Sequence, residues 1–160
     1  MSADDQIRVT LQHEEGYRFS IDFEGSGLDA IHTDLPPPNG QGSGPDPEHL
    51  LLAALANCLA ASLLHALRVN RNPEASGVRA EVSARPARNA EGRLRIPQVF
   101  VELQLPGHND DYQGLDKVLA KFEDFCTVTQ SVRKGIDVQV TVRDADQRVL
   151  LGDKSFEAGS

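Results

Sequence analysis

Two cysteines stand in this chain of 160 residues, Cys58 and Cys126. Sulfur is the element on which chemistry could most readily be built here. Cys58 lies mid-way along LLLAALANCLAASLLHALR (Leu50 to Arg68), a run that is almost all Ala and Leu. A free cysteine packs well as a small hydrophobe, so packing alone could account for it. Asn57 beside it is harder to absorb. An amide buried mid-helix needs partners or costs roughly 1–3 kcal/mol, so it implies a polar pocket at that level. Cys126 directly precedes a predicted helix start, where unpaired N–H groups favour an anion and lower a thiol pKa. A packed thiol on an amphipathic stripe is the alternative. Together, one sulfur could attack as a thiolate and the other condense with the resulting sulfenic acid.

Other constellations fall away. His13, His32, His49, His65 and His108 show no metal-ligand spacing with the cysteines, so no zinc site is expected. Gly40, Gly42 and Gly44 lack the preceding strand and following Lys-Ser/Thr of a phosphate cradle. Ser62 sits in a helix interior and not on a strand-to-helix elbow. Glu14 and Glu15 read as a solvated turn.

The formal charge of −8 argues against nucleic acid, because no basic patch exists to release phosphate counterions. Arg85, Arg88, Arg93 and Arg95 are the nearest approach to one and are scattered, with an acid, Glu91, among them. Two cysteines are too few for a secreted disulfide scaffold, and the opening MSADDQIRV lacks the basic start and apolar stretch of a signal peptide. The Ala/Leu run approaches the roughly 18-residue length of a membrane span. Asn57, Ser62 and His65 interrupt it and no aromatic belt flanks it, so a buried helix of a cytoplasmic protein is expected, with no membrane partner.

These residues must be positioned by a single domain covering residues 1–160. Strands are expected over residues 6–33: Ile7 to Leu11 and Tyr17 to Phe23 alternate around a hairpin turn at Glu14-Glu15-Gly16, and a weaker strand follows over Leu28 to Thr33. A Pro/Gly-rich loop, LPPPNGQGSGPDPE, leads to a central helix over about 47–70, with Asp46 as N-cap and Pro47 at its first position. Strands follow over 78–105, the second running from Gly92 to Leu105 with a bend at Pro97. Helices are expected over about 114–134. Leu115, Val118, Leu119, Phe122 and Cys126 make the stripe of the first; a capping box at Thr127-Val-Thr-Gln130 opens the next, which Gly135 closes. A last strand spans 136–143 and the tail from Gly152 frays. The order is α+β, an antiparallel sheet packed on helices. A helix apolar on nearly all faces must be enclosed on both sides, and a second copy of the chain is the natural cover.

The segment GPDPEHLLLAALANCLAASLLHAL resembles the central helix of the osmotically inducible protein C / organic hydroperoxide resistance family (OsmC/Ohr). FEDFCTVTQSVRKGIDVQVTV resembles that family's second motif, a cysteine leading a short helix into a final strand. The likeness covers roughly residues 6–143. It implies an interwound α+β homodimer with active sites at the interface, and thiol peroxidase chemistry. Cys58 would become a sulfenic acid on reducing an organic or inorganic hydroperoxide, and Cys126 would resolve it as a disulfide. A dithiol, such as a protein-bound lipoyl group, would restore both, with no metal or other cofactor. Glu48 and an arginine of the early strands, Arg18, would support the thiolate. Ten residues of helix span ~15 Å, so in a continuous helix Glu48 can reach only the Cys58 of a partner chain. Asn57 where a small residue is usual, Thr127 where proline often follows, and the absence of a Gly-Gly-Arg turn imply a general OsmC-like branch. A non-catalytic small-molecule-binding dimer, or a redox-sensing one, is the alternative function.

Overall fold

A computed structural model describes residues 6–152; the tail expected to fray past Gly152 lies outside them. The chain divides into two compact units, with the boundary between Leu51 and Leu52.

In the first unit, β1 (Thr10–His13), β2 (Phe19–Asp22) and β3 (Ile31–Thr33) form an antiparallel meander in sequence order. β1 starts three residues later than the alternation suggested. The turn between β1 and β2 falls at the expected place: the Glu14 N–H donates to the Arg18 carbonyl (3.0 Å), and the Arg18 N–H to that of Glu15 (2.8 Å). Leu11, Ile21 and Ile31 stand opposite one another across the three strands. Ile21 is buried, while Leu11 and Ile31 remain 56% and 37% exposed, so this apolar row is only part covered.

The Pro/Gly-rich loop winds around one carboxylate. Asp34 is buried and accepts from the N–H groups of Leu35 (2.9 Å), Gln41 (3.0 Å) and Ser43 (3.1 Å), and from the Ser43 hydroxyl (3.0 Å). A Cβ at Gly40 would collide with the Leu35 carbonyl and the Asp34 carboxylate, and one at Gly44 with the His32 carbonyl. These two glycines are therefore required by the close approach of the backbone and the Asp34 carboxylate.

The helix α1 (Pro47–Val69) opens as its sequence dictates. The Asp46 carboxylate accepts from the His49 N–H (2.9 Å) and Pro47 occupies the first position, where a missing N–H costs nothing. In the second unit Leu55, Leu59, Leu63 and Leu67 are fully buried at four-residue intervals, with Ala56 and Ala66 beside them. Ala53, Ala54, Asn57, Ala61 and His65 are exposed. The buried amide expected at Asn57 is thus corrected: it lies about 200° around the helix from Leu55, off the buried stripe, and faces outward. Past the helix end, the Asn72 side chain grips Gln113, accepting from its N–H (2.8 Å) and donating to its carbonyl (3.0 Å).

The second unit's main sheet has the order β4 (Arg79–Ala84), β7 (Gln98–Gln104), β8 (Asp137–Arg143), β9 (Val149–Leu151). Between β4 and β7, a small hairpin is made by β5 (Ala87–Arg88) and β6 (Leu94–Arg95). The long strand expected from Gly92 to Leu105 is cut at Pro97, which has no N–H for a ladder; its carbonyl accepts from the Asp137 N–H instead (2.9 Å). Val99, Val101, Leu103, Val138, Val140 and Val142 are buried, so one face supplies core and the other faces out. β4 pairs antiparallel with β7, and β8 with β9, but β7 and β8 run parallel. The all-antiparallel expectation is corrected by this pair. Between them lie α2 (Leu115–Leu119) and α3 (Thr127–Val132), a crossover long enough to bring the chain back in the same direction.

The Asp34 cluster gives the first unit a pH limb. The Ser43 N–H foremost, then Gln41, the Ser43 hydroxyl and Leu35, hold its carboxyl below the ordinary value of 3.8, against burial, which raises it. Since the folded pKa lies below the unfolded one, the stabilisation is complete above the unfolded value and is lost as pH falls through the folded value. Asp34→Asn should therefore lower the urea midpoint at pH 7, and the gap to the parent protein should narrow at about pH 3. An equal gap at both pH values would refute the charge-based account.

Candidate functional site

Cys58 is carried by the long, capped helix α1, one position before the buried Leu59. The segment carrying Cys126 is less regular. Gly114 adopts a left-handed φ of 64° ahead of α2, which ends at Leu119, and a 3-10 turn spans Phe122–Phe125. The continuous helix expected over this stripe is thus broken in two. Leu115, Val118, Leu119 and Phe122 are nevertheless buried on one side as their spacing required. Cys126 then takes an extended conformation (φ −79°, ψ 93°) and is itself the N-cap of α3. Its carbonyl accepts from the Gln130 N–H (2.9 Å).

The capping box expected at Thr127 to Gln130 does not form, because the cap falls one residue earlier. The Gln130 side chain instead donates to the Glu123 carbonyl (3.0 Å). Glu123, 2% exposed, forms an ion pair with Arg133. The C-terminal half of the short helix is thus tied to the turn that precedes Cys126.

These two segments bring the sulfurs together. Both cysteines are free; Cys58 is half-buried and Cys126 is fully buried. The Cys58 thiol is within hydrogen-bonding reach of Cys126, and the Cys126 thiol donates to the Thr129 hydroxyl oxygen at 3.0 Å. Burial pushes the Cys126 thiol above its ordinary pKa. The hydrogen bond to Cys58 pushes it further, while the Thr129 hydroxyl and backbone N–H pull it back. The thiolate-favouring setting expected for Cys126 from its helix position is therefore overturned. A six-residue helix offers little field, and desolvation of the charged form outweighs it. Cys126 is a protonated, shielded thiol facing a more accessible one.

Arg18 and Glu48 are placed differently. Arg18 leads into β2, half-buried, with its Nε 2.8 Å from a Glu14 carboxylate oxygen that is also 3.1 Å from His32 Nδ1. It lines a polar cleft of about 300 Å³ with Tyr17, Asp34, Gln41 and Ser43. Glu48 is exposed in the first turn of α1. That helix is unbroken, so ~15 Å of rise separates Glu48 from Cys58 of the same chain. A second, apolar cleft of about 640 Å³ lies among His65, Val69, Lys117, Lys121, Phe122 and Phe125, with neither thiol in its lining. Among the described residues, no group of three or more His, Cys, Asp or Glu is gathered for a metal.

Sequence reasoning missed Thr129 and the Glu123–Arg133 pair. The capping-box pattern Thr127-Val-Thr-Gln130 makes Thr129 a spacer. Its place three residues after Cys126, the distance that joins neighbours on a helix face, was the available signal.

A long helix delivering one cysteine, and a braced turn delivering a second to it, define an α+β protein with a facing thiol pair. Residues 40–141, more than half of the chain, match the family model described as OsmC-like protein. The chain belongs to the OsmC-like family. The solved structure of an organic hydroperoxide resistance protein OsmC from Legionella pneumophila is 18% identical with a TM-score of 0.67, the match covering 88% of this chain and 98% of that one. The organic hydroperoxide resistance protein OhrB of Bacillus subtilis is 19% identical at 0.62, covering 86% and 98%. An organic hydroperoxide resistance protein from Elizabethkingia anophelis is 16% identical at 0.69, covering 90% and 99%. At these identities the likeness is one of fold. No curated protein matches the sequence.

The unequal exposure of the two sulfurs predicts an order of reaction. A neutral alkylating reagent added to the native protein should modify Cys58 first, with Cys126 protected until the protein is unfolded. Peptide mass mapping over time reads this directly; simultaneous or reversed labelling would contradict the geometry.

Proposed function

We propose that the protein is a thiol-dependent hydroperoxide reductase. The observation that carries this reading is the pairing of a half-exposed Cys58 with a shielded Cys126 in hydrogen-bonding reach. The OsmC-like membership and the fold shared with organic hydroperoxide resistance proteins support it. The Cys58 thiolate attacks the terminal oxygen of a hydroperoxide, breaking the O–O bond; an alcohol (water, from hydrogen peroxide) leaves and Cys58 becomes a sulfenic acid. Cys126 then attacks that sulfur, a disulfide forms and water departs. An external dithiol, free or on a lipoyl-bearing protein, reduces the disulfide by exchange. The sulfurs carry all the electrons, so no cofactor enters the scheme. Two unpaired thiols that cycle in this way suit the reducing cytoplasm.

In this reading the active protein is a homodimer. Only 28% of the most apolar 18-residue window of α1 is buried within one chain, although the helix is apolar and long enough to cross a membrane. Val69 and Phe125 are 65% and 72% exposed in the same unit. Covering such a surface with a second copy stabilises the pair by roughly 25 cal/mol for each Å² removed from water. Glu48 and Arg18 are assigned to the thiolate of Cys58, Glu48 acting on the partner's sulfur because the helix rise keeps it from its own. A second reading, an apolar-ligand carrier with idle thiols, draws support from the 640 Å³ cleft, which the peroxidase scheme leaves unused.

Mass spectrometry of the intact chain after one equivalent of cumene hydroperoxide separates the two. The peroxidase reading expects a loss of two protons mapped to Cys58 and Cys126. Cys58→Ser should reduce turnover to the uncatalysed background, and Cys126→Ser should stop at a dimedone-reactive Cys58. Normal turnover by Cys58→Ser would sink the mechanism, and an unchanged parent mass would favour the carrier. Light scattering should give about twice the 17.4 kDa of one chain, and Ala61→Arg, a charge set on the open face of α1, should shift the protein towards monomer.

A further inference from the structure

The resolving step has a difficulty of its own. The attacking sulfur must be a thiolate, yet Cys126 is fully buried, and burial holds it protonated. The titratable group facing it from α1 is Cys58, which during this step is a neutral sulfenic acid. The charged side chains on its own segment, Glu123 and Arg133, are paired with each other. Neither supplies a compensating cation. The Thr129 hydroxyl does touch the sulfur, at 3.0 Å, and Thr129 is itself fully buried. A hydroxyl is both donor and acceptor, and its hydrogen rotates freely about the C–O bond.

Resting on the peroxidase reading, we propose that Thr129 is a positioning residue for disulfide closure: its hydroxyl accepts from the Cys126 thiol at rest, then turns to donate to the sulfur as it attacks Cys58. The switch from acceptor to donor needs only rotation of the hydroxyl hydrogen about the C–O bond. The bond that forms is Cys126 Sγ–Cys58 Sγ, and the bond that breaks is the S–O bond of the sulfenic acid. The proton given up by the Cys126 thiol leaves with the departing hydroxide as water. The Cys126 sulfur rises from the thiol to the disulfide level and the sulfenic sulfur falls to it, so the step needs no outside oxidant or reductant. A hydrogen bond to an ionised group in a dry site is stronger than one between neutral groups, so the contact favours the attacking form over the resting one.

Thr129→Val keeps the shape and removes the hydroxyl, while Thr129→Ser keeps the hydroxyl and removes a methyl. Each variant and the parent are treated with one equivalent of cumene hydroperoxide between about pH 6 and 9. Sulfenic acid is trapped with dimedone and disulfide is counted by mass. The expected result for Thr129→Val is an unchanged rate of Cys58 oxidation, closure slowed about tenfold, and a rising limb of the closure profile displaced to higher pH. Thr129→Ser should restore both rate and profile. If Ser is as slow as Val, the hydroxyl does not rescue closure and the proposal is overturned; parent-like closure in Thr129→Val overturns it too. A parallel arm uses diamide as oxidant, since closure of a Cys58–diamide adduct needs the same Cys126 thiolate but no peroxide chemistry. Diamide closure that is slow in Val and normal in Ser, beside a parent unreactive towards hydroperoxide, would sink the peroxidase reading and leave the role of Thr129 standing. Thermal melting establishes that both variants are folded; should Thr129→Val not fold, the pH profile of Thr129→Ala against Ser decides by the same criterion.

Discussion

In the function proposed above, the approach of two sulfurs of unequal exposure is the constraint that the second unit must satisfy. One must be reachable from solvent and the other kept from it, yet the two must stay in touch. A helix meets the first need cheaply. In α1 the leucine stripe fixes the helix rotation, and the cap at Asp46 fixes where it starts, so Cys58 is held at the margin of the buried face by leucines on either side. The second need is harder, since α2 and α3 are five and six residues long and would not persist alone. Their order comes from tertiary ties: Phe122 fully buried, Glu123 paired with Arg133, Gln130 bonded back to the Glu123 carbonyl. Cys126 sits at the centre of those ties.

Such a division explains what could be read in advance. α1 was legible to within a residue because Asp46-Pro47 and a long Ala/Leu periodicity are strong local signals. The strands were legible as alternations, but their direction was not. Alternating burial looks the same in parallel and antiparallel pairs, so Val138, Val140 and Val142 gave β8 its inward face and left its pairing with β7 open. The short helices were blurred for another reason. Leu115 to Cys126 keeps helical spacing, yet the chain at Cys126 turns extended, and only tertiary contacts select that break. The Asp34 loop shows the limit at the other extreme: its glycines announce a turn, but nothing local says that a carboxylate two residues before the first proline organises it.

Within the candidate site the instructive failure is the ionisation of Cys126. A helix start does favour a thiolate when the helix is long and the sulfur is solvated. Here neither condition is met, and desolvation decides the sign. This reversal suits the division of labour proposed for the pair. A thiol that stays protonated while its neighbour reacts does not compete for the oxidant, and it is spared over-oxidation to the sulfinic and sulfonic states.

The open face of α1 sets the remaining demand. A helix with a full leucine stripe on one side and Ala53, Ala54, Ala61 and Leu64 towards the other has two surfaces to cover, and one chain buries the first only. Lipid would accept the alanines but not Asn57, His65 and Arg68, which punctuate the same face at roughly one per turn or two and would each lose water without gaining a partner. A protein surface can satisfy both kinds of residue, because small side chains allow close approach while polar ones find bonds across the contact. The second copy proposed above is a surface of this kind. In the proposed dimer, two such helices laid antiparallel would bring the first turn of one, with its acidic Glu48, towards the middle of the other. That is where Cys58 lies, and the amide at position 57 beside it would then have the partner that a single chain does not provide.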